Sequence, residues 1–303
     1  MQERLVIGTR RSPLAMWQAK WVAEQLRRHW PGIEISLERI VTQGDRVTDV
    51  PLHAVGGKGL FTKEIEVALL DRKIDLAVHS MKDLPTELPE GLTIGAVPPR
   101  EDPADAIVGV STEAELDAEI CLGTSSLRRV AQLRARYPAI RVETIRGNID
   151  TRLRKLDEGR YDAILLAAAG LKRLGLEERI GIHLPVTHFL PAVGQGALGI
   201  EIRAGDERVE RLLAPLHDRS TASCVGAERA LLAGLGGGCQ TPIGAYARPL
   251  PDGEIHLSGL VASPDGKRLI RGEARGKVPE EVGRRLATDL LDRGGRALLA
   301  SIP

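Results

Sequence analysis

One cysteine, one carboxylate and two arginine pairs are the groups through which this chain could do chemistry. Cys239 lies in the run Gly236-Gly237-Gly238-Cys239-Gln240-Thr241-Pro242-Ile243-Gly244. Glycine tolerates φ > 0 and close backbone approach, so this loop can bring a thiol to a ligand. A turn with an incidental cysteine is the plainer reading, because a free Cys usually behaves as a small apolar residue. Asp83 stands in Ser80-Met81-Lys82-Asp83-Leu84-Pro85, the exit from the apolar run Ile74-Asp75-Leu76-Ala77-Val78-His79. A carboxylate beside an ammonium at a strand end can stay ionised, orient N–H donors and stabilise a nearby cation. As an exposed Lys-Asp pair it would contribute little. Arg10 and Arg11 precede Ser12-Pro13, and Arg128 and Arg129 follow Thr124-Ser125-Ser126. Arginine in the first turn of a helix opposes the helix dipole. Its presence there makes sense where an anion binds between the helix start and the guanidiniums.

The elements that must position these groups alternate between strand and helix. Arg4 to Thr9 reads as a short buried strand. Ser12 suits an N-cap and Pro13 the first helical position. Leu14, Trp17, Trp21 and Gln25 are expected on one face of that helix, with Ala15, Val22 and Leu26 beside them. Ile33 to Val41 reads as a second strand. Thr42 to Gly59 lacks periodicity and is long for a structureless connection, which predicts a mobile lid. A helix is expected from Phe61 to Arg72. Further strands are expected at Ile74 to His79, Asp105 to Val110, a short run ending near Gly123, Ile140 to Ile145 and Tyr161 to Ala167. Arg128, Arg129, Arg146, Arg152, Lys172 and Arg173 recur just beyond strand ends, where open α/β sheets bind ligands. That recurrence predicts a rim for a small polyanion.

Two stretches read as crossings between sheets. Val97-Pro98-Pro99-Arg100-Glu101-Asp102-Pro103 is proline-dense and stiff. Phe189 to Gly199 is glycine-rich, and Gly194, Gly196 and Gly199 match G-x-G-x-x-G. A dinucleotide site needs a helix after that pattern, and Leu198 to Arg203 alternates like a strand instead. The C-terminal third reads as a small α+β module. It has a helix from Thr221 to Leu235 with Cys224 on its packed face, strands at Glu254 to Ser263 and Arg268 to Lys277, and a helix from Pro279 to Leu291.

A length of 303 residues suggests two or three domains, and 43% hydrophobic with 27% charged residues is a soluble globular profile. The net charge of +1 and 3% aromatics argue against nucleic acid and membrane partners. Arginine makes up 33 of the 42 basic residues, which suits bidentate recognition of carboxylate or phosphate. The three cysteines, Cys121, Cys224 and Cys239, form no CxxC pair, so no metal site or disulfide framework is indicated. A reducing cytoplasm fits that usage. Met1 to Ile7 leads straight into a strand, with no signal peptide, and no apolar run reaches transmembrane length.

Seven segments together resemble the porphobilinogen deaminase (hydroxymethylbilane synthase) family, nearly end to end. They are Thr9-Arg10-Arg11-Ser12-Pro13-Leu14-Ala15, Val55-Gly56-Gly57-Lys58-Gly59-Leu60-Phe61, Ala77-Val78-His79-Ser80-Met81-Lys82-Asp83, Gly123-Thr124-Ser125-Ser126-Leu127-Arg128-Arg129, Arg146-Gly147-Asn148, Leu190-Pro191-Ala192-Val193-Gly194-Gln195-Gly196 and Gly237-Gly238-Cys239-Gln240. The resemblance implies an α/β fold with two periplasmic-binding-protein-like doubly wound domains and a smaller C-terminal α+β domain. The implied boundaries are 1–98 with 197–216, then 102–192, then 219–303. It implies a dipyrromethane cofactor joined covalently to Cys239 and a catalytic carboxylate at Asp83. Cofactor contacts would fall on Lys82, Ser80, Thr124, Ser126, Arg128, Arg129 and Gly147. The substrate porphobilinogen would meet Arg10, Ser12, Arg146, Arg152, Arg173 and Gln195, with Lys58 and Phe61 in the lid. Some relatives carry a second lid lysine where this chain has Ala54. The implied reaction joins four porphobilinogen units head to tail with release of ammonia, in a cytoplasmic monomer. The alternative is a two-domain solute-binding or sensor module, which would need neither Cys239 nor a third domain. A nicotinamide oxidoreductase rests only on the three glycines and lacks their required context.

Overall fold

Ser12 converts the end of one strand into a helix, and that transition sets the pattern of the first half of the chain. Strand β1 (Arg4–Arg10) turns inward Leu5 and Ile7. The Ser12 hydroxyl accepts the Ala15 N–H at 3.3 Å, and Pro13 opens helix α1 (Pro13–His29). Arg27, Arg28 and His29 in its last turn complement the carbonyl end. The buried stripe of α1 is Ala15, Gln18, Ala19, Val22, Ala23 and Leu26. The face expected from Leu14, Trp17, Trp21 and Gln25 is a half-buried flank instead. Alanines let the helix approach the sheet closely, whereas the tryptophans fit only at its margin.

The computed structural model describes residues 3–46, 59–238 and 241–300, which divide into two units. The first holds the described residues of 1–101 and 197–222. Its sheet comprises β1, β2 (Glu34–Ile40), β3 (Leu76–Ser80), β4 (Leu92–Ala96) and β10 (Leu198–Arg203), in the order β2-β1-β3-β10-β4. β1 is parallel to β2 and β3, and β10 runs antiparallel to β3 and β4. Alternation divides the side chains. Leu76, Val78, Leu198, Ile200 and Ile202 join α1 in one core, while Ala77 and Ile74 pack under helix α2 (Lys63–Leu70) with Ile65 and Leu69. Gln43–Arg46 forms a single helical turn within the segment read as a lid, and 47–58 lie outside the described residues.

The second unit holds 102–196 and the described residues from 223 onward. Its sheet is built from β5 (Asp105–Val108), β6 (Cys121–Gly123), β7 (Arg141–Glu143), β8 (Ala163–Ala167) and β9 (Ile182–Leu184), in the order β7-β6-β8-β5-β9. β6 is parallel to β7 and β8, and β5 is antiparallel to β8 and β9. This is the strand order of the first sheet again, with the reversed strand in the fourth place. In each sheet that strand follows a crossing, so the chain enters it from the opposite end. Helices α3 (Leu127–Arg136), α4 (Ile149–Asp157) and α5 (Ala168–Arg173) connect the strands.

The same unit includes the antiparallel meander β11 (Ile243–Pro249), β12 (Ile255–Ala262) and β13 (Leu269–Gly276). Helices α6 (Arg219–Gly234) and α7 (Pro279–Leu290) cover it, with Leu231, Leu286 and Leu290 against Leu257 and Val261. Leu260 and Ala262 continue into contact with Ala131 and Leu190. The fold class is therefore the expected one, two doubly wound α/β sheets and a small α+β module. A strand, β10, follows Gly194 and Gly196, as the alternation of Leu198 to Arg203 predicts.

Candidate active site

In the first unit the groups singled out by sequence lie at the carboxyl ends of β1 and β3. The Arg10 guanidinium is half-buried and already partnered. Its Nε donates to Asp45 Oδ1 at 3.2 Å, Nη2 adds a second contact to the same carboxylate, and the group lies 4.2 Å over the Phe61 ring. Asp45 also accepts the Thr42 hydroxyl at 2.8 Å. Burial would raise the Asp45 carboxyl, but Arg10 and Thr42 outweigh it and hold it below its ordinary value. Gly44 makes this arrangement possible, since a Cβ there would meet the Phe61 ring at 2.2 Å. Phe61, expected in the lid, is thus a platform for Arg10. Ser12 caps α1, and Ser80 accepts a hydrogen bond from the buried Gln18 at 2.9 Å.

Lys82 and Asp83 sit in a 3-10 turn, Met81–Asp83, directly after β3. The Met81 N–H donates to Ala197 O at 3.0 Å, and the Leu84 N–H closes the turn on Met81 O at 3.2 Å. Met81 and Leu84 are buried, which pins the turn from beneath. Gly199 of β10 leaves room for both, because a Cβ there would lie 2.7 Å from Leu84 Cδ1. Asp83 itself is half-buried, and its carboxylate has no hydrogen bond or ion pair among the described residues. It is a placed, available carboxylate.

In the second unit the tandem arginines turn inward. Asp105, at the start of β5, is fully buried and takes both of them. Arg128 Nη1 donates to its Oδ2 at 2.6 Å, while Arg129 Nη2 and Nε donate to Oδ1 at 2.6 and 3.0 Å. Arg128 also reaches Leu190 O at 2.7 Å and Arg129 reaches Leu165 O at 2.9 Å. Gln195 Nε2 adds a 3.0 Å bond to Asp105 and a 2.8 Å bond to Pro103 O. Burial alone would raise Asp105; the two guanidiniums reverse that and hold its carboxyl far below the usual range. The arginines read as anion ligands therefore already share one internal carboxylate, leaving a net positive pair. Arg173 is buried too and donates to Gly196 O at 2.6 Å. Glu228 of α6 fastens the same crossing through the Gly194 N–H at 2.7 Å.

A second group of cations is less compensated. Ser126 occupies the N-cap position of α3 without a side-chain cap bond, and Thr124 Oγ1 accepts the Ser126 N–H at 3.3 Å. Gly147 has φ 116°, which places its carbonyl to accept from Arg152 Nε at 2.7 Å. Burial lowers Arg152 to about 10, and the charges of Arg129 and Arg146 add to the fall. Arg146 Nη1 is buried with no hydrogen-bond partner among the described residues. An Arg152 charge disfavoured by its two arginine neighbours, with one orphaned N–H donor on Arg146, fits a ligand bearing several carboxylates. Cys239, Gln240 and Lys58 lie outside the described residues. The residues flanking the cysteine are joined by the Thr241 N–H to Gly238 O at 3.1 Å and the Thr241 hydroxyl to the same oxygen at 2.7 Å.

Sequence reasoning missed Asp105, Asp45 and Gln18. Asp105 carried a signal, a lone carboxylate beginning an apolar strand; Asp45 and Gln18 are recognisable only once the chain is folded.

Comparison with known proteins agrees over the whole length. Residues 5–211 match the family model "Porphobilinogen deaminase, dipyromethane cofactor binding domain", and 222–292 match "Porphobilinogen deaminase, C-terminal domain". A porphobilinogen deaminase from Thiobacillus denitrificans is 52% identical over 303 residues, covering 99% of each chain. Among solved structures, a TRAP periplasmic solute binding protein from Desulfovibrio salexigens is 11% identical with a TM-score of 0.41, covering 72% of this chain and 73% of its own. The periplasmic aliphatic sulphonate binding protein of Escherichia coli is 16% identical with a TM-score of 0.41, covering 77% and 75%.

Proposed function

Since the chain belongs to the porphobilinogen deaminase family, we propose that it joins four porphobilinogen molecules head to tail into hydroxymethylbilane, releasing ammonia, in tetrapyrrole synthesis. The observation that carries this reading is the pair Arg146 and Arg152, one with an orphaned buried donor and the other with its charge disfavoured by neighbouring cations, within a segment that matches the cofactor-binding domain. The dipyrromethane cofactor, when bound, supplies a nucleophilic pyrrole carbon and the carboxylates that mark the start of the chain.

The remaining roles belong to the protein. Cys239 holds the cofactor through its sulfur, in a loop whose glycines allow close approach. Asp83 accepts pyrrole N–H groups, balances the positive charge left when ammonia departs, and takes up the proton lost when the new carbon–carbon bond forms. Each pyrrole adds an acetate and a propionate, so the growing chain is a polyanion that suits guanidiniums. Lys82, Ser80, Thr124, Ser126, Arg128, Arg129 and Gly147 serve the cofactor; Arg10, Ser12, Arg146, Arg152, Arg173 and Gln195 serve the incoming substrate. The buried bonds of Arg173 and Gln195 support a role in shaping the crossing on which the other groups depend. Lys58 and Phe61 act at the lid, and 219–303 acts as a third domain although it packs on the second sheet. The enzyme acts as a monomer. The buried Cys121 and Cys224 fit a reducing cytoplasm.

Intact mass and peptide mapping around Cys239 test the reading. The expected result is an excess of two linked pyrrole units on that peptide, or its acquisition when unmodified protein is incubated with porphobilinogen. A Cys239 that stays unmodified after incubation would overturn the assignment.

A further inference from the structure

Helix α2 is seated on its sheet partly through ionisable groups. Glu66 of α2, His79 of β3 and Glu201 of β10 are 7%, 5% and 0% exposed. His79 Nε2 lies 3.0 Å from Glu201 Oε2. Glu201 Oε1, Glu66 Oε1 and Thr62 Oγ1 are buried with no hydrogen-bond partner among the described residues. The chemistry proposed above uses none of these groups. They belong to the sheet face on which Ile65, Leu69 and Ala77 also pack.

The charges facing Glu66 are Glu201 from β10, His79 from β3 and Glu64 from α2 itself. Lys63 of α2 is exposed. Arg203, two residues beyond Glu201 on the same face, is committed to the end of the helix: its Nη1 donates to Leu69 O at 2.9 Å and Ile74 O at 2.7 Å, and its Nη2 to Asp206 at 2.8 Å. β4 brings no charged side chain. Two buried carboxylates therefore face one another with a single imidazole, hydrogen-bonded to Glu201, beside them, an arrangement that disfavours ionising both. A proton on one of them turns an orphaned oxygen into a donor.

We propose that Glu66 carries a proton while α2 is seated, so that Glu66, His79 and Glu201 form a proton-operated clasp between helix and sheet. Burial raises the Glu66 carboxyl and the Glu201 charge raises it further, against the opposing influence of Thr62 and His79. A raised carboxyl favours the fold most at low pH, and the contribution is lost as pH rises through its folded value. Loss of the proton loosens α2, and with it Phe61, the platform beneath Arg10.

The test is amide exchange of α2 and thermal unfolding of the full chain from about pH 5 to about pH 9, in wild type and Glu66→Gln. Wild-type protection factors for α2 should fall by up to about tenfold per pH unit within the titration window. Those of Glu66→Gln should stay high and flat, with a Tm above wild type at the alkaline end. An infrared difference spectrum at acidic pH should show a protonated carboxylic C=O band in wild type that Glu66→Gln lacks. Equal pH slopes in the two proteins, no such band, or a Gln variant that fails to fold would each overturn the proposal, because the amide closely mimics the protonated acid.

Discussion

Replacing Asp105 by asparagine keeps the shape of the buried centre of the second unit and removes the negative charge that Arg128 and Arg129 share. Four hydrogen bonds of 2.6 to 3.0 Å converge on that carboxylate, three from guanidiniums and one from Gln195. An asparagine oxygen can accept some of them, but its amide would face a donor, and two buried cations would lose their counter-ion. Breaking a buried ion pair from one side costs about 3–5 kcal/mol. At roughly 2–4 °C per kcal/mol for a unit of this size, the Tm should fall by about 6–20 °C. The carboxyl is held far below its ordinary value, so its contribution is complete above the usual carboxylate range and lost only as pH falls toward the depressed folded value. The deficit of Asp105→Asn should accordingly be the same from about pH 5 to about pH 8. Calorimetry at several pH values measures it. A loss below about 1 kcal/mol, or a deficit that changes within that range, would refute the counter-ion reasoning.

Other perturbations probe the site more directly. Asp83→Asn should leave the unfolding midpoint unchanged and lower porphobilinogen turnover by about 10²–10⁴-fold, the range of a lost acid–base group; near-normal turnover would remove Asp83 from its role. Arg152→Gln should stabilise the cofactor-free protein by about 1 kcal/mol after allowance for solvent screening, and lower the fraction of chains that carry the cofactor by mass. The positive charge of Arg152 is disfavoured by burial below about 10, so the stability gain should fade as pH rises through that value. Gly199→Ala sets a Cβ 2.7 Å from Leu84 Cδ1 and 3.1 Å from Met81 Cε. It should cost about 1–2 kcal/mol in urea unfolding. It should also cut turnover by up to about 10²-fold through displacement of the Asp83 turn.

Periodicity made most of the elements readable, because a strand buried on both faces and a helix buried on one leave different patterns. Most of the strands and helices, the strand after Gly196 and the C-terminal α+β module follow from it, whereas β4 and β9, short strands at the sheet edges, were not expected. Where the pattern was ambiguous, packing chose: α1 buries Ala15, Ala19 and Ala23 rather than its tryptophans, since only small side chains allow close approach to the sheet. The four-residue helical turn Gln43–Arg46 was invisible, as too short a stretch to show a period.

The chemistry of the site divides in the same way. The sequence by itself pointed to an anionic ligand, because arginines recurring beyond strand ends, one carboxylate in a strand-exit turn and one cysteine among glycines are properties of type and order. It also carried the family resemblance, which depends on the same short runs. Only the tertiary structure decided which of those cations are spent within the protein. Arg128 and Arg129 meet Asp105 across 23 and 24 residues, and Arg10 meets Asp45 across 35. Partners so distant in sequence leave no local pattern, because long-range pairing is set by sheet order and burial. What remains uncompensated for a ligand is a difference between charges that the fold alone brings together.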